Sequence, residues 1–182
     1  MRFETERLIL RPLRAGDADD LFQYQSRADV VTYIPWPERT MEQVKEALIK
    51  TEAEFKDTFQ NDHEYANYAW ELKAGGQVIG QSNISLEKNE HQSGEIGWVV
   101  NPDFKGQGYA VEATRKILDV GFNHYGLRRI TAYIDIRNEP SIKLAKAIGM
   151  RHEGTFIKDE FFKGEYTSAH LYALLVEEFN QN

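Results

Sequence analysis

The sequence predicts a single α+β domain built on a mixed, mostly antiparallel sheet of six to seven strands flanked by about four helices. Its 182 residues match the usual size of one domain, so one unit is expected over residues 1–182. Segments of period two alternate with segments of helical spacing, as in α+β proteins. One helical segment lies between two strand patterns, which indicates a central βαβ crossover.

The first predicted elements are a strand and two helices. The strand covers Leu8–Arg11, and Asp17 is expected to cap a short helix over Ala18–Ser26. Thr40 and Gln43 have the spacing of a capping box, which begins a longer helix. The apolar residues of that helix recur at helical spacing: Met41, Val44, Leu48, Phe55 and Phe59.

Three strands of an antiparallel meander follow. From Tyr65 the apolar residues alternate, at Ala66, Tyr68, Trp70 and Leu72. Ala74–Gln77 contains two glycines and predicts a hairpin turn into a strand over Val78–Ile84. A polar loop over Glu87–Gly94 then leads to a third strand over Glu95–Val100.

The crossover unit begins after Pro102. Apolar residues return to helical spacing at Ala110, Ala113, Ile117, Val120 and His124, and the helix is expected to end near Gly126. A strand follows with alternating residues Ile130, Ala132, Ile134 and Ile136.

The last elements are one helix and two strands. Pro140 suits the first turn of a short helix, and Gly149 suits the left-handed residue just beyond its end. The final strands are predicted over Gly154–Lys158 and Tyr166–Leu175.

Composition excludes several chemistries. The chain has no cysteine, so disulfides, iron–sulfur clusters and a thiolate nucleophile are ruled out, and its five histidines lack the spacing of metal ligands. The net charge of -7 argues against a nucleic-acid partner. No apolar run is long enough to cross a bilayer, and charges occupy the start of the chain where a signal peptide is apolar. We therefore expect a cytoplasmic protein with no metal and no membrane partner.

A glycine-containing loop joins the third meander strand to the crossover helix. Gly106 and Gly108 let the backbone turn tightly at a helix start, where free amides attract phosphate oxygens. A dinucleotide fingerprint would need a third glycine at Val111, and a Walker A loop would need a Gly-Lys pair, which the chain lacks. The alternatives at this stage are that the glycines only shape a turn, or that the protein is a nucleotide-dependent oxidoreductase.

Three motifs in order resemble the GCN5-related N-acetyltransferases (GNAT). Gly94–Pro102, Lys105–Ala110 and Glu112-Ala113 resemble motif A, whereas Asn138–Ser141, Leu144 and Ile148–Met150 resemble motif B. The opening Thr5–Leu13 resembles the RimJ/RimL branch, whose members acetylate ribosomal-protein N-termini.

This resemblance implies a GNAT fold that binds acetyl-CoA between the strands at Glu95–Val100 and Ile130–Ile134. The pantetheine arm would pair with the backbone of Trp98, Val99 and Val100 and would receive a hydrogen bond from Asn138. The pyrophosphate would bind backbone amides of Lys105, Gly106, Gln107, Gly108, Tyr109 and Ala110. Lys105 stands where the family usually has Gln or Arg. This difference matters little, because the pyrophosphate is expected to bind backbone amides and not this side chain.

The resemblance also suggests catalytic residues. Without cysteine, direct attack of an amine on the thioester is expected. Glu95 is the candidate base, and the alternative is a solvent-facing or ion-paired glutamate. Ser141 is the candidate donor to the leaving thiolate, since the position of the family's usual tyrosine holds Ala145; the alternative is a helix cap.

The expected acceptor is a peptide N-terminus or a small molecule that carries an amine. An α-amine loses its proton near neutral pH at a cost of about 1 kcal/mol, against roughly 4 to 5 kcal/mol for lysine. Trp36, Glu38 and Glu160 lie in two loops that wall the acceptor side in the family and are the candidate substrate residues. Polyamines or antibiotics as acceptors, and a non-catalytic CoA sensor, remain alternatives. Homodimers are common in the family, and the sequence does not decide this point.

Overall fold

The computed structural model describes residues 1–181 and places eight strands in one sheet. The sheet order is β1-β2-β3-β4-β5-β6-β8-β7, and every neighbouring pair is antiparallel except β5–β6. The strands are β1 (Phe3–Glu4), β2 (Leu8–Pro12), β3 (Tyr65–Leu72), β4 (Val78–Lys88), β5 (Ser93–Val100), β6 (Arg129–Asp135), β7 (Arg151–Phe162) and β8 (Glu165–Leu175).

Six α-helices accompany the sheet among the described residues. They are α1 (Ala18–Gln25), α2 (Ala28–Val31), α3 (Met41–Glu54), α4 (Tyr109–Asn123), α5 (Glu139–Ala147) and α6 (Val176–Phe179). Two of them, α2 and α6, have only four residues each and carry no periodicity that a sequence pattern can reveal. No helix within residues 1–181 is both long and apolar enough to span a membrane.

The mixed, mostly antiparallel sheet and the central βαβ unit are confirmed. Strands β3, β4 and β5 form the predicted meander, and α4 crosses over to bring β6 parallel to β5. The capping box of α3 forms: Gln43 N–H donates to Thr40 Oγ1 at 3.3 Å, and Thr40 N–H donates to Gln43 Oε1 at 2.9 Å. Gly126 and Gly149 both adopt positive φ beyond their helices, at 70° and 91°.

Asp17 does not cap α1 with its side chain, which corrects the sequence prediction. Its carboxylate instead accepts two hydrogen bonds from Arg11, at 2.8 and 2.7 Å, and one from the backbone N–H of Arg14. Both Arg11 and Asp17 are buried, and Glu71 also accepts from Arg11 at 2.5 Å. A buried guanidinium recruits nearby carboxylates because a charge without a partner is costly in the interior.

The helix predicted through Phe59 ends at Glu54 instead, because Phe55 turns to an extended conformation. Phe55 and Phe59 still pack on the core, with Phe59 stacked on Tyr125 at 3.9 Å between ring centroids. Similarly, β6 ends at Asp135, one residue before the predicted Ile136, and β7 is longer than predicted. As the edge strand, β7 is almost entirely exposed, so its residues lack the alternation that marks a half-buried strand.

The sheet is covered by helices on both faces. Trp70 and Ile79 lie in a large core beneath α4, whereas their neighbours Ala69 and Val78 lie in a second core beneath α1 and α3. Successive side chains of a strand point to opposite faces, so these strands are buried on both sides. The central strands are therefore held rigidly, and the β5–β6 junction lies within this covered region.

We predict that Asp17→Ala lowers the free energy of unfolding by about 3 kcal/mol, because it removes one partner from a buried guanidinium. Urea denaturation measures the change. Asp29→Ala is the matched control, since Asp29 pairs with Arg27 at 3.1 Å in solvent and is worth about 1 kcal/mol or less. Equal effects of the two substitutions would contradict the structural role of Asp17.

Candidate active site

Strands β5 and β6 separate soon after they meet. They pair in parallel through only three positions, Ser93–Arg129, Gly94–Ile130 and Glu95–Thr131. Beyond Glu95, β5 continues beside β4, while β6 continues beside β8. The backbone of residues 96–100 therefore has no strand on its β6 side, and a V-shaped opening forms with Glu95 at its apex.

A cavity of about 560 Å³ occupies this opening. Five of the six residues predicted to act through their side chains line it: Trp36, Glu95, Asn138, Ser141 and Glu160. Trp98 and Val99, predicted to act through their backbone, also line it. Glu38 is exposed and does not line the cavity. Val100 and the loop over residues 105–110 also lie outside the lining, farther along β5 and at the start of α4.

Glu95 is an isolated carboxylate in this cavity. No side chain or backbone group within residues 1–181 donates a hydrogen bond to its carboxylate, and no cation pairs with it. Burial, together with the nearby charge of Glu87, raises the pKa of Glu95 from 4.5 to about 7. The carboxyl group therefore changes its protonation state near neutral pH, which suits a general base or acid.

Ser141 faces Glu95's strand from the first turn of α5. Its Oγ accepts a hydrogen bond from Trp98 Nε1 at 3.1 Å, so the indole of β5 reaches across the opening to α5. The cap of α5 is Asn138, whose side-chain oxygen accepts from Ser141 N–H at 3.3 Å. Since Asn138 performs the capping and Trp98 supplies a donor to Ser141, the serine hydroxyl hydrogen can point elsewhere.

The glycine loop presents unpaired amides at the start of α4. Gly106 and Gly108 have φ of 77° and 81°, a region that glycine enters without strain. Within the described chain, no backbone carbonyl accepts from the amides of residues 106–110. The amide of Lys105, in contrast, donates to the carbonyl of Pro102 at 3.1 Å, so it is not available as the sequence prediction supposed.

Arg7 holds this loop from the N-terminal segment. Its Nη1 donates to the carbonyl of Gln107 at 2.8 Å, and its Nε donates to Glu112 at 2.7 Å. The guanidinium also lies over the ring of Tyr109 at 4.3 Å. Because Arg7 donates to the carbonyl of Gln107, it holds the peptide unit that this carbonyl shares with the N–H of Gly108.

Sequence reasoning missed Arg39, which follows the aromatic loop and lines the same cavity. Its Nη1 donates to the side-chain oxygen of Gln25 at 2.9 Å, and its guanidinium lies over Trp36 at 4.4 Å. Burial lowers the pKa of Arg39, and no carboxylate within residues 1–181 forms an ion pair with it. No sequence pattern indicates this, because an arginine before a helix is ordinarily a solvated residue.

Comparisons with known proteins agree on one family. The model of the acetyltransferase (GNAT) domain matches residues 7–151. YnaD of Bacillus subtilis, described as an uncharacterized N-acetyltransferase, is 34% identical over 99% of this chain and 100% of its own length. A GNAT-family acetyltransferase structure from Bacillus anthracis is 32% identical, covers 98% of this chain and 100% of its own, and has a TM-score of 0.87. The spermidine N(1)-acetyltransferase of Escherichia coli is 25% identical over 88% of this chain and 81% of its own.

We predict that Glu95→Gln changes how stability depends on pH. A carboxyl whose pKa rises on folding costs nothing below its ordinary pKa of 4.5 and destabilises increasingly as the pH rises through 7. Between pH 5 and pH 8 the wild type should therefore lose about 2 kcal/mol more unfolding free energy than the variant. Urea denaturation at both pH values measures this. Glu90→Gln, at an exposed glutamate, is the control, and parallel curves for Glu95→Gln and wild type would contradict a raised pKa.

Proposed function

The chain belongs to the GNAT acetyltransferase family, and on that premise we propose that Glu95 acts as general base in direct transfer of an acetyl group from acetyl-CoA to a primary amine. As a member of the family, the protein is an acyltransferase. The observation that carries the proposal is the position of Glu95: an unpaired carboxylate with a pKa of about 7, at the apex of the opening between β5 and β6.

The residues of the opening fit acetyl-CoA. Amides of residues 106–110 lack protein acceptors and lie at the N-terminus of a 15-residue helix, where negative charge is favoured. Residues 96–100 pair with β4 on one side, and their backbone groups on the β6 side lack a strand partner and offer donors and acceptors to the amides of a pantetheine arm. When bound, acetyl-CoA supplies the acetyl group: the amine nitrogen bonds to the carbonyl carbon, and the carbon–sulfur bond breaks.

Glu95 would remove a proton from the acceptor, directly or through a water molecule. An α-amine with a pKa near 7.8 gives its proton to a carboxylate of pKa about 7 at a cost of about 1 kcal/mol. A lysine amine with a pKa near 10.4 would require about 5 kcal/mol. Glu95 is therefore a sufficient base for an α-amine and a weak one for a lysine side chain.

Ser141 would stabilise the leaving sulfur. Its Oγ accepts from Trp98, so its hydrogen is available to donate to a developing thiolate. The carbon–sulfur bond breaks to release a thiolate, and a thiol pKa near 8.5 makes this anion a good leaving group, so a hydrogen bond suffices at that step and the thiolate takes up a proton afterwards. Ala145 is fully buried at the position of the family's usual tyrosine and cannot serve as an acid.

We propose a peptide or protein N-terminal α-amine, as in the RimJ/RimL branch, or a small molecule with an amine of similar pKa as the acceptor. Trp36 and Glu160 line the cavity and supply an aromatic wall and a carboxylate for it. A polyamine is the second candidate, because one relative is a spermidine N(1)-acetyltransferase. Products identified by mass spectrometry after incubation with peptides, polyamines and aminoglycosides would name the acceptor.

We predict that Glu95→Gln lowers kcat by about 100-fold or more, since it removes the general base. At saturating acceptor, wild-type kcat should fall as the pH decreases through about 7, where Glu95 becomes protonated, and this limb should be lost in the variant. Release of the CoA thiol in the presence of an accepted amine measures both. Glu90→Gln is again the control. If the protein binds CoA tightly but no amine causes release of the CoA thiol from acetyl-CoA, the result would instead favour a non-catalytic CoA sensor.

We predict that Gly108→Ala weakens CoA binding by about 10-fold, because a side chain strains the left-handed backbone by about 1–2 kcal/mol and shifts the loop amides. Isothermal titration calorimetry of CoA measures the Kd. Gly154→Ala is the matched control, since an added methyl group there contacts nothing and the backbone is unstrained. An unchanged Kd for Gly108→Ala would remove the loop from the binding site.

A further inference from the structure

The cavity holds one cation that no protein carboxylate neutralises. Arg39 lines the same cavity as Glu95, and no acidic group within residues 1–181 lies within ion-pair distance of it. Its Nη1 bonds to a neutral amide oxygen of Gln25, and no protein acceptor engages its Nε or Nη2. Partly buried arginines usually pair with a carboxylate, because desolvating the charge alone is unfavourable.

The guanidinium of Arg39 is held in a fixed position. The backbone N–H of Arg39 donates to the carbonyl of Gln25 at 3.1 Å, and Gln25 is itself buried. The Gln25 side chain donates in turn to Gln81 of β4 at 2.8 Å, which ties the arginine to the sheet. Trp36 supports the other side of the guanidinium. A charged group that is positioned so firmly without a charged partner is suited to bind a ligand.

The other charges of the cavity lining do not oppose an anion at Arg39. Asp135 is already paired with Arg137 at 2.7 Å, and Glu160 is exposed on the edge strand. Burial and Glu87 raise the pKa of Glu95 to about 7, so this carboxyl is partly neutral at physiological pH. The indole Nε1 of Trp36 is buried without an acceptor within the described residues, so it places no negative charge or acceptor against Arg39.

We propose that the acceptor carries a carboxylate in addition to its amine, and that Arg39 binds this carboxylate while Glu95 faces the amine. The inference rests on the proposed acetyl transfer and narrows its substrate class. A planar guanidinium matches a carboxylate through two parallel hydrogen bonds. A polyamine, which places additional positive charge in the cavity, is disfavoured by an unpaired arginine. The carboxylate can belong to a free amino acid or to an acidic side chain of a short peptide.

Matched acceptors test this with the wild-type chain. Thiol release from acetyl-CoA is measured for free amino acids against their carboxamides, and for dipeptide amides with Glu against Gln at the second position. The two sets separate the two sources of the carboxylate. A carboxylate raises the pKa of a neighbouring amine, so less of the amine is unprotonated and the carboxamide is the more reactive acceptor in solution. If the enzyme nevertheless prefers the acid, the protein must bind the carboxylate. We expect kcat/KM at least about 10-fold higher for the acid in one set.

Substitution of Arg39 tests the residue. Arg39→Gln should raise KM for the acidic acceptor by about 10-fold, so that the kcat/KM values of the acid and the amide differ by no more than about 2-fold. Arg39→Lys keeps the positive charge and should retain part of the preference for the acid. Arg2→Gln removes an exposed charge elsewhere and should keep the preference. Melting temperature and CoA affinity establish that the variants are folded, and the wild-type comparison decides the proposal even if Arg39→Gln does not fold.

The outcomes separate this inference from the proposed function. Equal kcat/KM within every wild-type pair, a preference that survives Arg39→Gln, or reaction with spermidine but with no carboxylate-bearing amine would overturn the role of Arg39 while leaving acetyl transfer intact. Absence of thiol release with every amine, spermidine included, would overturn the proposed function itself, and this inference with it.

Discussion

The short parallel contact between β5 and β6 is the constraint on which the site depends. Because these strands pair through three positions only, the sheet stays continuous and yet opens beyond Glu95. The opening leaves one side of the β5 backbone without partners and places the carboxylate of Glu95 at the point where the strands diverge. Burial at that apex raises the pKa of Glu95. The separation of β5 from β6 therefore accounts for the shape of the opening, for the free backbone groups along β5 and for the raised pKa of Glu95.

The opening is held by contacts between segments distant in sequence. Arg7 fixes the glycine loop through the carbonyl of Gln107 and the carboxylate of Glu112, over a separation of about one hundred residues. The indole of Trp98 bridges the two sides by donating to Ser141. Helices on both faces bury the central strands, so these polar contacts act within a rigid frame.

Two titratable groups of opposite kind, Glu95 and Arg39, lie partly buried in the cavity. Glu95 lies where the strands separate, and Arg39 lies on the wall formed by the aromatic loop and α3. Neither has a protein counter-ion within the described chain, although the protein as a whole is acidic, with a net charge of -7. The overall charge that disfavours a nucleic-acid partner therefore says little about the local charge of the cavity, which is set by the groups that burial leaves unpaired.

Periodicity and turn glycines such as Gly75 and Gly149 are local signals, so they were enough to predict the α+β class, the antiparallel meander and the central crossover. The sequence also indicated Glu95, Ser141 and the glycine loop through motifs that are contiguous in the chain. Three features became visible in the folded chain alone: Asp17 pairs with Arg11, the N–H of Lys105 is occupied, and Arg39 lines the cavity without a carboxylate partner within residues 1–181. Those facts depend on which distant groups meet and how deeply they are buried, and no local pattern of residues encodes either.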